Sequence, residues 1–261
     1  MTKPNGVEPL LDVRALQKFF GGLVAVNEVS FQVMPGEIVA IIGPNGAGKT
    51  TMFNLLSGVY VPDKGEIVFH GEVLNGKKPY QIAQRGLART FQNLQVFDNM
   101  TTLENVMVGR HIRSAYGLLS AAFRLPHARR EESDIHEQAW HYLSLVHLQE
   151  QAAMQACNLS FGQQRRLEIA RALASEPALL LLDEPGAGLT REEVEELDGL
   201  IRNIRDAGAT ILLVEHDMDL VMGIADRVIV LNHGEKIAAG TPETVQQDQR
   251  VIRAYLGEVW D

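Results

Sequence analysis

Four apolar runs of strand length punctuate the chain: IVAII (38–42), ALLLL (178–182), TILLV (210–214) and RVIVL (227–231). Charged, helix-period stretches such as REEVEELDGLIRNIRDAG (191–208) lie between the later ones. Buried strands that alternate with helices predict a parallel α/β sheet. Residues 7–75 are rich in Val, Ile, Phe and Gly, with turn signals at Pro35-Gly36 and Pro62-Asp63-Lys64-Gly65. That pattern predicts short strands around one strand–loop–helix unit from Ile38 to Ser57. Residues 90–160 read as helical, and Ile135, Ala139, Tyr142, Leu143 and Val146 fall on one stripe at helical spacing. In the tail from Pro242, Val245, Val251, Ile252, Tyr255 and Leu256 predict one docked helix.

The 261 residues are 46% hydrophobic and 22% charged, which fits a folded chain and excludes wholesale disorder. No apolar run approaches the ~18–20 residues of a membrane helix. The opening MTKPNGVEPLLDV lacks the apolar stretch of a secretory signal. A lone cysteine, Cys157, has no internal disulfide partner, so a cytosolic setting is expected. Net charge is −9, with 33 acidic and 24 basic residues, which argues against nucleic acid as a partner. Between Arg110 and Arg130 five arginines occur with no acidic residue. This stretch reads as a solvated face or loop; contact with lipid headgroups or a membrane partner is the other reading.

Gly43-Pro44-Asn45-Gly46-Ala47-Gly48-Lys49-Thr50 fits G-x-x-x-x-G-K-[ST], between the IVAII strand and the helical TMFNLLSG. A backbone that wraps a phosphate must approach it closely, and Gly43, Gly46 and Gly48 permit positive φ without obstruction. Loop N–H groups and the helix N-terminus then face the anion. Lys49 supplies positive charge to the β- and γ-phosphates, and Thr50 a hydroxyl for Mg²⁺. A phosphate loop needs a carboxylate for the metal. Leu179-Leu180-Leu181-Leu182-Asp183-Glu184 provides one at the C-terminal end of an apolar strand, where ligands of open α/β sheets bind. Asp183 is expected to hold Mg²⁺ through its water shell, and Glu184 to orient and deprotonate the attacking water.

With Leu159-Ser160-Phe161-Gly162-Gln163 ahead of QRRLEIARAL, the chain resembles the ATP-binding cassette family, whose signature is LSGGQ. Further motifs follow in family order: Phe20 before Gly21, Gln92 in Thr90-Phe91-Gln92, Gly186 to Thr190 after the acidic pair, and His216 in Val214-Glu215-His216-Asp217. The resemblance implies a P-loop NTPase α/β fold with a RecA-like parallel-sheet core, an N-terminal antiparallel β region and an inserted helical subdomain. It assigns residues 1–92 and 160–241 to the core with its β region, 93–159 to the helical subdomain and 242–261 to a C-terminal helix. It also implies that Phe20 stacks on adenine, and that Val26, Asn45, Ala47 and Thr51 join the glycines, Lys49 and Thr50 around ATP. Gln92 is then a contact to metal or water and a catalytic residue beside Glu184 and His216. The resemblance further implies that two cassettes pack head to tail, so that Ser160, Phe161, Gly162 and Gln163 act on the partner's ATP. Phe161 replaces a signature glycine, and Thr190 stands where the family carries aspartate.

FGGLVAVNEVSF, RTFQNLQVFDNMTTLENVMVGRH, NLSFGQQRRLEIARALASEP and the closing RVIRAYLGE are similar to one ATP-binding subunit of bacterial high-affinity branched-chain amino-acid importers. Sixty-six residues separate Gln92 from Leu159, more than the resemblance leads one to expect of lipopolysaccharide-export cassettes. Urea and short-amide importers share the architecture. The resemblance implies a second cassette, two transmembrane permease subunits, indirectly a substrate-binding protein, and a peripheral place at the cytoplasmic face of the inner membrane.

Overall fold

A computed structural model describes residues 8–111 and 126–256. Most of the Arg110–Arg130 basic stretch therefore lies outside the described residues. Two sheets organise the rest. An antiparallel sheet has the order β2-β1-β4-β5, from β1 (Leu11–Phe20), β2 (Leu23–Val33), β4 (Lys64–Phe69) and β5 (Glu72–Val73). A six-stranded sheet has the order β10-β9-β3-β8-β7-β6. Its strands are β3 (Ile38–Ile42), β6 (Leu87–Arg89), β7 (Leu179–Asp183), β8 (Thr210–Val214), β9 (Arg227–Asn232) and β10 (Glu235–Gly240). All its pairings are parallel except β9 with β10.

The apolar runs are continuous because both faces of the larger sheet are covered. Ile38, Ala40 and Ile42, with Leu180, Leu182, Ile211 and Leu213, pack on one side against the helices. Val39, Ile41, Leu179, Leu181, Leu212 and Val214 pack on the other, against the antiparallel sheet and α1 (Lys49–Leu56). The N-terminal strands are longer than the sequence led one to expect, at 10 and 11 residues. Register shifts along β1 and β2 disturb the alternation that would have revealed their length, and one leaves Ala25 between Val24 and Val26 without a cross-strand partner on β1.

Between β6 and β7 lies a helical region: α3 (Thr102–Arg110), α4 (Pro126–Leu145) and α5 (Phe161–Leu173). Four members of the predicted stripe, Ile135, Ala139, Leu143 and Val146, are buried, with Tyr142 packed at their edge. The remaining helices are α2 (Pro79–Ala83), α6 (Arg191–Asp206), α7 (Met218–Ile224), α8 (Pro242–Gln246) and α9 (Gln249–Leu256). The single C-terminal helix expected over 242–261 is thus two short ones within the described residues. Asp248 separates them: its carboxylate accepts the Arg250 N–H at 2.8 Å and starts a new helix rather than continuing the old. No helix among the described residues is long and apolar enough to cross a membrane.

Candidate functional site

β3 delivers the chain into the glycine loop, and α1 takes it out. Gly48 caps α1 with φ 101°. A Cβ there would lie 2.5 Å from the carbonyl oxygen of Ala25, the bulge residue of β2. At Gly43 it would lie 2.1 Å from the carbonyl oxygen of Leu231 in β9. Both glycines thus let neighbouring strands press against the loop. The Gly234 N–H braces it further, donating to Ala47 O at 3.0 Å. Lys49 is 7% exposed, and its Nζ donates to Gly43 O at 2.6 Å and Pro44 O at 3.1 Å. Burial holds the ammonium below the ordinary lysine range, and the Glu184 carboxylate partly offsets this.

The loop forms one wall of a cleft of roughly 530 Å³. Asn45 to Thr51, Phe20, Gln92 and Glu184 all line it, as do Leu23, Val24, Ala25 and His233. Phe20 is 41% exposed and meets Tyr60 edge-on at 5.2 Å, so its ring is available at the rim. Val26, expected at the nucleotide, is fully buried in the core instead. The unpartnered Ala25 shifts the strand's alternation there and turns Val26 inward.

Asp183 ends β7 and is 3% exposed. Its Oδ2 accepts from Arg89 at 2.7 Å in a buried ion pair. The same guanidinium donates to Asn54 and Ser57, both at 2.8 Å. Glu184 follows in a left-handed conformation, φ 48°, costly for a non-glycine residue at about 1–3 kcal/mol. Its N–H donates to Val214 O at 2.9 Å, tying it to the end of β8. Its carboxylate accepts from Gln92 Nε2 at 3.0 Å. His216 Nδ1 stands 3.7 Å from that carboxylate, beyond hydrogen-bond distance. Gln92, Glu184 and His216 are therefore neighbours.

The oxygens expected to serve a metal come from Thr50, Gln92 and Asp183. These are hard donors, and no group of three or more His, Cys, Asp or Glu among the described residues could cage an ion. Such a sparse oxygen set fits Mg²⁺, which keeps waters and phosphate oxygens around itself.

Four charged residues with buried side chains near the site were missed by sequence reasoning. Arg89 is one. Glu215, fully buried, accepts backbone N–H bonds from Gly186 at 2.7 Å, His216 at 3.0 Å and Asp217 at 3.4 Å, and so joins the two loops beyond β7 and β8. Burial pushes its carboxyl above the usual range, and those N–H groups pull it partly back. Arg165 and Glu168 on α5 are the other two. The available signal was a charged residue next to each motif, which reads equally well as surface.

Ser160 to Gln163 sit at the start of α5 and do not line the cleft. Ser160 accepts the Gln163 N–H at 3.3 Å, and Gln163 Oε1 accepts the Ser160 N–H at 2.9 Å, closing a capping box. The Phe161 ring packs on the backbone of Gly188, where a Cβ would meet it at 3.1 Å. Thr190 caps α6 in the same manner, with Glu193 as its partner. Aspartate and threonine are both good N-caps, so the departure at 190 keeps a local helix-starting role.

A family model described as ABC transporter matches residues 26–187, and one described as branched-chain amino acid ATP-binding cassette transporter matches residues 235–261. The high-affinity branched-chain amino acid transport ATP-binding protein LivG of Escherichia coli (strain K12) is 49% identical over 252 residues, 96% of this chain and 99% of that protein. Its counterpart BraF of Pseudomonas aeruginosa is 47% identical, covering 96% and 98%. The lipopolysaccharide export system ATP-binding protein LptB of Haemophilus influenzae is 35% identical, covering 95% and 98%. Among solved structures, the ADP conformation of an ATP-binding cassette from an ABC transporter superposes with TM-score 0.84 at 32% identity, covering 96% of this chain and all of that one.

Proposed function

The chain belongs to the ABC transporter family of ATP-binding cassettes, and on that premise we propose that it is the energy-coupling ATPase of an importer for branched-chain amino acids. The observation that carries this reading is near-full-length identity of 47–49% to two proteins named for that transport. The lipopolysaccharide-export relative stands lower, at 35%. The match of residues 235–261 to a branched-chain cassette model supports the same choice.

In the proposed mechanism ATP lies along the glycine loop, its adenine against Phe20. Backbone N–H groups and the start of α1 face the phosphates, and no acidic residue in the first turn of α1 opposes them. Lys49 exchanges its two loop carbonyls for phosphate oxygens. Mg²⁺, when bound, neutralises the charge that develops on those oxygens, with Thr50, Asp183 and Gln92 as its protein-side donors. Glu184 takes the proton of the attacking water, and its left-handed backbone aims the carboxylate into the cleft. Gln92 orients that carboxylate by its amide, and His216 closes on the γ-phosphate side. Residues 160–163 do not line this cleft and, in this reading, serve the nucleotide of a second cassette.

A second cleft, roughly 590 Å³, lies between the core and the helical region. Tyr80, Phe91, Val96 and Phe97 line it, and three of these are exposed aromatics. It begins beside Gln92, and we read it as the seat of a cytoplasmic loop of a permease subunit. The chain would then sit peripherally at the inner face of the membrane. The test is uptake of labelled leucine in cells lacking this chain. Restoration by the wild-type chain but not by Lys49→Ala supports import; unchanged uptake on deletion, or co-purification with lipid-export components, refutes it.

A further inference from the structure

Arg165 is the largest fully buried side chain of the described residues, at 1% exposure, and Glu168 beside it is equally buried. Two charges withdrawn from water are costly unless each is fully engaged. Arg165 Nε is buried without a partner, so the engagement runs through the two terminal nitrogens, and it has a direction. Arg165 Nη1 donates to Glu168 at 3.0 Å and to Phe91 O at 3.0 Å. Its Nη2 donates to Gln92 O at 3.1 Å. Glu168 Oε1 accepts the Phe91 N–H at 3.2 Å. One helix thus grips three backbone groups of Phe91-Gln92, while the Gln92 side chain holds Glu184.

The same helix starts with Ser160 and Phe161. The Phe161 ring lies 5.9 Å from the Arg165 guanidinium and rests on Gly188, four residues beyond Glu184. The start of α5 is therefore held between the two loops that carry Gln92 and Glu184. We propose that Arg165 and Glu168 are positioning residues that lock the Phe91-Gln92 backbone to the signature helix, so that Gln92's reach to Glu184 and the placement of residues 160–163 change together. The inference rests on Glu184 acting in hydrolysis. It adds a physical link between this chain's own site and the segment serving its partner's nucleotide.

The test is a double-mutant cycle on the full chain, with ATP turnover measured alone and in Gln92→Ala. Arg165→Lys keeps the charge but loses the planar fork that spans two carbonyls and a carboxylate. It should lower kcat by about 10- to 100-fold with KM for ATP nearly unchanged. In the Gln92→Ala background the same substitution should change kcat by less than about twofold, because its route to Glu184 is already cut. Equal fold-losses in both backgrounds would mean a merely structural role and overturn the proposal. Amide exchange gives a second reading that does not depend on turnover. Arg165→Lys should speed exchange over residues 91–97 and leave 43–50 unchanged. Unaltered protection at 91–97 would overturn the clamp even in a chain that hydrolyses ATP. Faster exchange there in a chain without turnover would count against the ATPase reading alone.

Discussion

Gly46→Ala and Gly48→Ala separate the two reasons a phosphate loop carries glycine. Both positions have left-handed backbone, φ 80° and 101°, so each alanine meets a similar conformational cost of about 1–2 kcal/mol. Their surroundings differ. Nothing lies within 4 Å of a Cβ at Gly46, whereas at Gly48 the Ala25 carbonyl oxygen is 2.5 Å away and Gly234 Cα 3.5 Å. The Ala25 carbonyl is the obstacle, and it is backbone, held by the β2 bulge next to the Asn27–Gly234 hydrogen bond of 2.8 Å; the Gly234 Cα is at ordinary contact distance. Relief requires strand movement, worth about a further 1–3 kcal/mol. Urea unfolding should therefore place Gly46→Ala about 1–2 kcal/mol below wild type and Gly48→Ala about 2–5 kcal/mol below. Calorimetry should find ATP affinity reduced more by Gly48→Ala, since the displaced segment opens directly onto Lys49. Equal destabilisation by the two alanines would refute the close-approach argument and leave only backbone conformation.

Three further outcomes are expected. Lys49→Ala should weaken ATP binding by about ten- to a hundredfold, corresponding to a charge-assisted contact of about 1.5–3 kcal/mol, as read by calorimetry. Arg89→Ala strands the Asp183 carboxylate in a buried site and should cost about 3–5 kcal/mol in a denaturant titration. The third is a pH dependence. Burial raises the Glu215 carboxyl above its ordinary 4.5, so the folded chain binds that proton more tightly than the unfolded one. Its contribution is full below about pH 4.5 and is lost as pH rises through the raised value. The unfolding free energy of wild type minus that of Glu215→Gln should thus fall with rising pH, and a flat difference would contradict it.

Strands covered on both faces were legible almost to the residue: β3 and β8 coincide with the runs IVAII and TILLV. The glycine loop was legible because its spacing is dictated by the close approach of backbone to anion. The N-terminal strands were underestimated, since left-handed residues within them, Ala15 and Glu28, break the period of two. Val26 was misplaced for a similar reason, because a bulge decides which way a β-branched residue faces. Arg89, Arg165, Glu168 and Glu215 were illegible as buried groups: a charge beside a motif looks like surface until the fold supplies its partners. The tail read as one helix because its apolar spacing continues across Asp248, where a side-chain cap rather than periodicity sets the boundary.

We propose Glu184 as the base of an ATP-hydrolysing site built on Lys49 and Gln92. Phosphate release by the purified chain beside Glu184→Gln, with ATP affinity measured on the same samples, tests it most directly. The amide keeps the size of the carboxylate and loses the proton acceptor, so release should slow by about 10²–10⁴-fold while ATP stays bound with near wild-type affinity. Release at the wild-type rate by Glu184→Gln would contradict the account.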